Sequence, residues 1–590
     1  MKIRRFTALS AALLLTGMGM AGAQQASDAS QIPEKIYYGG PIVTMNDRAL
    51  MAEAVAIKGG KIIAVDRLRT IDAMADDSTE RIDLQGKTMM PGFIDAHSHF
   101  LATGSNALIK VDLNSPPIGD VKNIDDIINK LKTRVADTKE GGVILGSGYD
   151  DTLVTEMRHP TKEDLDKVST EIPVIITHIS GHLASGNTKA LEMAAINSDT
   201  ANPDGGRVTK NDKGEPTGVM QGNATALLYK LIPESTQEDW VAAIAKGSEI
   251  WAAAGFTTAS DNFVSPNQID YFKAALDSGD QTVRVNFWPR VRSVEAVHAF
   301  PAVQSGTDIS DGKRMLVQGP VKFTIDGSPQ GYTAHFSEPY TTLRPDDDEG
   351  YRGFAYWDDR DEIFDIIEQL HTDGYQLTIH GNGDQGIQDI LDAYSAAQKA
   401  HPREDARHGV IHAQFTRPDQ LAQMAALDVS PSFFIGHTFY WGDRHKNVFF
   451  GPHRANHMSP LQGALDEGLV FSTHTDAYVT PIDGIQMVWS SVNRMSTGGD
   501  VIGEDQRISP YEALKAITTN AAWQFFEEDI KGSIEPGKLA DFVILSGNPL
   551  TVAHNDPMKI KDIKVLETIV GGDTVFKGES DSIVAKHFAD

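Results

Sequence analysis

The stretch PGFIDAHSHF, Pro91 to Phe100, ends an apolar run on two histidines one residue apart. On an extended strand residues i and i+2 share a face, so His97 and His99 can reach one ion. Asp95 has the same parity and fits better as a support for the loop. Alone, a His-x-His pair is weak evidence for a metal. Its weight comes from polar residues that close similar runs downstream. His380 closes QLTIH, His412 closes GVIH, and LVFSTHTD ends on Asp476. Each follows an apolar, β-branched run of the kind that forms a buried parallel strand.

Eight such runs are spaced along the chain, at 92–97, 256–261, 283–289, 321–326, 375–380, 409–412, 429–434 and 469–476. Amphipathic helical stretches separate them, which is the alternation of a parallel βα fold. Eight strands predict a TIM (β/α)8 barrel, whose active site forms at the C-terminal strand ends where these side chains fall. The span of about 101–247 is far longer than one connecting helix and reads as a subdomain inserted after the first barrel strand. Before the barrel, IYYGGPIVTM and AEAVAIKGGKIIAV are short strands between Gly-rich turns, and GSIEPGKLADFVIL and VLETIVGGDTVFKG repeat that style near the other end. Residues 34–90 and 531–580 are therefore expected to build one small β-sandwich around a barrel spanning 91–530.

The first residues, MKIRRFTALSAALLLTGMGMAGAQQ, combine Lys2, Arg4 and Arg5 with an apolar run and the small residues Ala21-Gly22-Ala23. That is the pattern of a cleavable signal peptide over 1–23, too short for a membrane span. It predicts a periplasmic or secreted protein with no membrane attachment after cleavage. Losing the three basic residues moves the formal charge from −28 to −31. An acidic balance of that size argues against nucleic acid, whose phosphates need a basic face. The chain has no cysteine, so a metal site must draw on His, carboxylate and Lys.

Lys322 alternates with Val321 and Phe323 in GPVKFTIDGS, a placement that would point it into the barrel and depress its pKa. Together with SGHLASGNTKAL, DGGRVTKNDKGEPTGVM, TAHFSEPY, IHGNGDQ, IHAQ and HTDAYVTPID, these motifs make the chain resemble the metal-dependent amidohydrolase superfamily. The similar branch contains the N-substituted formamide deformylases, and the likeness runs from about Ile36 to Lys577. The resemblance implies that His97, His99 and Asp476 bind one metal ion. It further implies that Lys322, carbamylated by carbon dioxide, bridges to a second ion held by His380 and His412. Zinc suits that donor set best. His182, in the Gly-His segment, would contact the substrate or its oxyanion. Tyr332 and His335 would support the site and line the substrate pocket. So would His437 and Trp441, from a run that also carries Tyr440, His445, His453 and His457.

The implied reaction is hydrolysis of a small molecule's amide-type C–N bond by metal-activated water, with Asp476 relaying the proton to the leaving amine. A deaminase or an esterase of the same superfamily and a non-catalytic regulatory homologue are the alternatives. Deamination fits less well, because Ala413-Gln414-Phe415 follows His412 where such enzymes carry a proton-shuttling Glu. A homodimer is the family's usual assembly.

Overall fold

The computed structural model describes residues 32–290, 293–343, 347–357 and 359–588, so the leader-like segment 1–23 lies outside the described residues. Its centre is a run of parallel strands, here β1 (Phe93–Ile94), β2 (Phe256–Val264), β3 (Arg284–Pro289), β4 (Val321–Thr324), β5 (Leu377–Gly381), β6 (Gly409–His412), β7 (Ser430–Phe433) and β8 (Ser472–Thr473). Each falls within or overlaps one of the eight apolar runs. They form two hydrogen-bonded arcs. In the first, β1, β2 and β3 pair in order, Leu316–Gln318 follows β3, and antiparallel Thr307–Asp308 forms the edge; the second runs from β4 to β8. The arcs meet where 316–318 leads into β4, with a parallel bridge from Arg290 to Lys322. At the opposite seam the His99 N–H donates to the Ala477 carbonyl at 2.6 Å and the Ile94 N–H donates to Ile517 at 2.9 Å.

Helices Arg360–Thr372, Asp384–Ala400 and Pro418–Leu427 follow β4, β5 and β6. Ile363, Ile367 and Leu370 on the first, and Ile387, Ile390, Leu391 and Tyr394 on the second, are buried against the strands at helical spacing. A Schellman-type end is absent from the second helix, which closes at His401 instead. β1 is much shorter than the predicted 92–97. Asp95 turns the chain: its carboxylate accepts from the His97 N–H and the Ser98 hydroxyl, the local bonding by which Asp competes with strand ladders.

Between β1 and β2 lies a separate six-stranded sheet drawn from 111–222, with apolar clusters of its own. The helices flanking it, Phe100–Ile109 and Gln237–Ala253, pack on each other and on the main core through Phe100, Ile244 and Trp251. A Cβ on Gly104 would collide with the Ala243 carbonyl, so this crossing needs a glycine. The excursion from the core is thus narrower than 101–247, because the flanking helices return to it.

The two chain ends share one eight-stranded sheet, in which Phe542–Leu545 runs antiparallel to Thr88–Pro91 with Phe542 opposite Pro91. Its hydrogen bonding is continuous. It bends at a register shift between Tyr38 and Ile42, where Gly39 takes a φ of 80°. Tyr37, Val55, Ile57, Phe542 and Ile544 pack on one face. Ile36, Ala54 and Ala56 pack on the other, against the helix Leu68–Asp72.

Candidate metal centre

His97 and His99 sit beyond the end of β1, in the turn that Asp95 closes, so strand alternation is not what aligns them. Trp251 Nε1–H also donates to Asp95 at 3.0 Å, and the Ser98 N–H donates to Ser260 Oγ at 2.7 Å. Through these bonds the loop is held by β2 and the helix before it. His97 Nε2 and His99 Nε2 then lie 3.4 and 3.3 Å from the same oxygen, Asp476 Oδ1. That oxygen is buried and makes no hydrogen bond, and neither does His97 Nδ1. Polar atoms this close that do not bond one another converge on a shared point. Two ligands 2.0–2.1 Å from a tetrahedral ion stand about 3.4 Å apart. The three side chains fit a divalent cation on that measure, and buried polar atoms left unsatisfied call for such an explanation.

His380 and His412 end β5 and β6. His380 Nε2–H donates to the Gly327 carbonyl at 3.0 Å, which leaves its Nδ1 lone pair facing His412 Nε2 at 3.0 Å. His412 Nδ1 meets His474 Nε2 at 3.0 Å, and His474 Nδ1 meets Ser432 Oγ at 2.8 Å. Carrying the proton outward along that line keeps His412 Nε2 free as a ligand, the usual support for a metal-binding histidine. His412 Nε2 is also 4.0 Å from Asp476 Oδ2, so one carboxylate faces both histidine pairs. His412 and Asp476 have φ of 71° and 55°. Non-glycine residues hold that conformation at a cost of about 1–3 kcal/mol, a strain that gathers at functional sites.

Lys322 is 1% exposed, with Nζ 3.3 Å from His97 Nε2. Burial lowers its pKa to about 7, only partly opposed by Asp476. Burial pushes the Asp476 carboxyl up, but His412 and the close imidazoles of His97 and His99 outweigh it and hold the group ionised. Burial pulls the pKa of His97, His380 and His412 down toward the neutral form that ligates, against the opposing charge of Asp476.

The remaining expected residues divide. His182 reaches the centre from the inserted sheet: its ring lies 5.2 Å from that of His380, and burial lowers its pKa to about 4. Gly181 precedes it with a φ of 72°, and a Cβ there would lie 2.7 Å from Tyr478 Oη. His437 is buried between Phe434 and Trp441, with centroids 4.6 and 4.7 Å away, and its Nδ1 meets His445 Nε2 at 2.8 Å. Trp441 Nε1–H donates to Asp150 of the insertion, as does Arg444, both at 3.0 Å. His453 and His457 lie apart from these, lining a cavity of about 410 Å³ with Phe415, Arg417 and Arg454.

Tyr332 stacks on Tyr340 at 4.7 Å in an aromatic cluster with Phe449. His335 acts through its backbone: its N–H donates to Asp326 at 2.9 Å, and Asp326 lies 3.4 Å from His380. The His335 ring faces Asp389, 3.9 Å away on the outer helix, which does not fit the substrate contact expected of it. Among the residues that sequence reasoning passed over, His474 stands out, two positions before Asp476 in the same run. Asp326 is another, in the VKFTIDGS motif itself.

The description of the amidohydrolase family matches residues 80–576. The YtcJ protein of Bacillus subtilis (strain 168) is 28% identical over 563 residues, covering 92% of this chain and 99% of the relative. The N-substituted formamide deformylase of Arthrobacter pascens is 25% identical over 538 residues, 90% of this chain and 96% of that one. A solved structure of a metal-dependent hydrolase from Pyrococcus horikoshii superposes with a TM-score of 0.70 at 25% identity, covering 88% of this chain and 99% of the other. The chain belongs to the amidohydrolase family.

Proposed function

We propose that this protein is an exported, metal-dependent amidohydrolase that cleaves an amide-type C–N bond of a small molecule, and that its two arcs close as a (β/α)8 barrel. The observation that carries the reading is the convergence of His97, His99 and Asp476 on one point, with His380 and His412 facing the same carboxylate. The deformylase relative supports C–N chemistry, and the metal-dependent hydrolase supports a metal. The basic, apolar start of the sequence supports export to the periplasm or beyond. The composite terminal domain and a homodimer belong to the same reading.

His97, His99 and Asp476 would hold one divalent ion, zinc by donor type, and His380 and His412 a second. Such an ion acidifies water and polarises a carbonyl as a Lewis acid. The chain's own groups do the rest. Asp476, kept ionised, accepts the proton of the attacking water and returns it to the leaving nitrogen. Lys322, whose amine pKa burial lowers to about 7, is about half in the neutral form at pH 7, the form that adds carbon dioxide, and the resulting carbamate would join the donor set. His182 faces the centre from the insertion and contacts the substrate, while His437 and Trp441 form an aromatic wall behind His474. The absence of an acid at Gln414 favours amides over ring deamination. Zinc-loaded protein assayed against formamides, N-acyl amino acids, aryl esters and aminopurines tests this. Turnover of amides supports it, and turnover of esters or aminopurines alone overturns the C–N assignment.

A further inference from the structure

His182 is held by a residue from a distant loop. Its Nδ1 lies 2.6 Å from the hydroxyl of Tyr356, 174 positions away, and the two rings sit edge to face with centroids 5.7 Å apart. Tyr356 is anchored by its own N–H, which donates to the Ile325 carbonyl at 2.7 Å just beyond β4.

The Tyr356 hydroxyl is placed to give its proton to the His182 Nδ1 lone pair. A neutral imidazole that accepts at Nδ1 carries its proton on Nε2. Because Tyr356 occupies the Nδ1 edge, the Nε2 edge is the one free for the centre, where His380 stands 5.2 Å from the same ring.

We infer that the Tyr356 hydroxyl donates to His182 Nδ1 and so fixes His182 with its proton on Nε2, where it offers the substrate's carbonyl oxygen a donor. Tyr356 is in this scheme a positioning residue, acting only through His182. The donor would strengthen as negative charge develops on that oxygen, which is where a preorganised N–H contributes most. The inference deepens the amidohydrolase reading and rests on it for the identity of the acceptor.

Two measurements on the full-length, metal-loaded protein decide it. In long-range proton–nitrogen spectra of protein labelled with 15N-histidine, His182 is assigned by its loss in His182→Asn. It should be the Nε2-protonated tautomer in wild type and a mixture in Tyr356→Phe. A wild-type signal protonated at Nδ1 overturns the inference. In kinetics, Tyr356→Phe should lower kcat about tenfold, the worth of one hydrogen bond, with KM and metal content held. The His182→Asn/Tyr356→Phe double variant should be no slower than His182→Asn alone. Independent, multiplying losses would show that Tyr356 acts by another route. If wild type hydrolyses no amide at all, the parent reading fails, while the spectra still report whether Tyr356 sets the tautomer.

Discussion

Asp541→Asn should destabilise the protein by several kcal/mol although the residue is far from the metal centre. Asp541 precedes the strand Phe542–Leu545 of the terminal sheet and meets Arg284 of β3 in a two-point pair, at 2.6 Å from Nε and 2.8 Å from Nη2. The side chains are 4% and 3% exposed. Arg284 Nη1–H also donates to the Lys313 carbonyl at 2.9 Å, and Asp541 Oδ1 accepts the Gly571 N–H at 2.8 Å. The pair therefore joins the terminal sheet to the parallel strands with every polar atom occupied. Asparagine keeps the shape, removes the charge and turns one N–H toward the guanidinium. Stranding one member of a buried ion pair costs about 3–5 kcal/mol. With unfolding entropy near 2 cal/mol/K per residue, a chain of this size loses about 2–4 °C in Tm if it unfolds as one unit. The loss is larger if the terminal sheet melts first. Scanning calorimetry at pH 7 reads the shift. Arg284→Met/Asp541→Leu should recover most of it, since no buried charge remains. A single variant that melts within about 1 °C of wild type would refute the reasoning.

Asp164 gives a pH-dependent counterpart in the insertion. Burial would raise its pKa, but Arg158 and the Thr161 N–H lower it to about 2. A depressed folded pKa contributes stability above the unfolded value near 4 and loses it as pH falls through about 2. Asp164→Asn should thus cost at most about 2 kcal/mol at pH 7, less for the half-exposed Arg158, and only a few tenths at pH 2; denaturant titrations at the two pH values check the difference. His474→Ala should weaken metal retention by about 10–100-fold while leaving the fold intact, because it removes the group that orients His412. Competition with a chelator measures it, and retention equal to wild type would deny His474 that role.

The sequence made the strands visible through their apolar, β-branched runs, and with them His380 and His412, which do end β5 and β6. It grouped His97, His99 and Asp476, which the fold brings together for a different reason. None of the three lies on a strand; a buried Asp95 and a left-handed turn at Asp476 bring them together. Lys322 could be read as inward-facing from alternation alone, and it is. His474 was hidden because Thr-His-Thr-Asp offers two polar residues of one parity and no local signal ranks them. His335 was misread because a backbone N–H, invisible in sequence, is its contribution. Contacts such as Tyr356 with His182 or Trp441 with Asp150 join residues 174 and 291 positions apart, and no local pattern encodes them.

The claim on which the rest depends is that His97, His99 and Asp476 bind a metal ion, and counting metal per chain tests it most directly. Wild-type protein, zinc-loaded and desalted, should retain at least one ion by elemental mass spectrometry. His97→Ala and Asp476→Asn, with unchanged circular dichroism, should each retain markedly less and lose hydrolysis. Wild-type metal content in both variants would contradict the account.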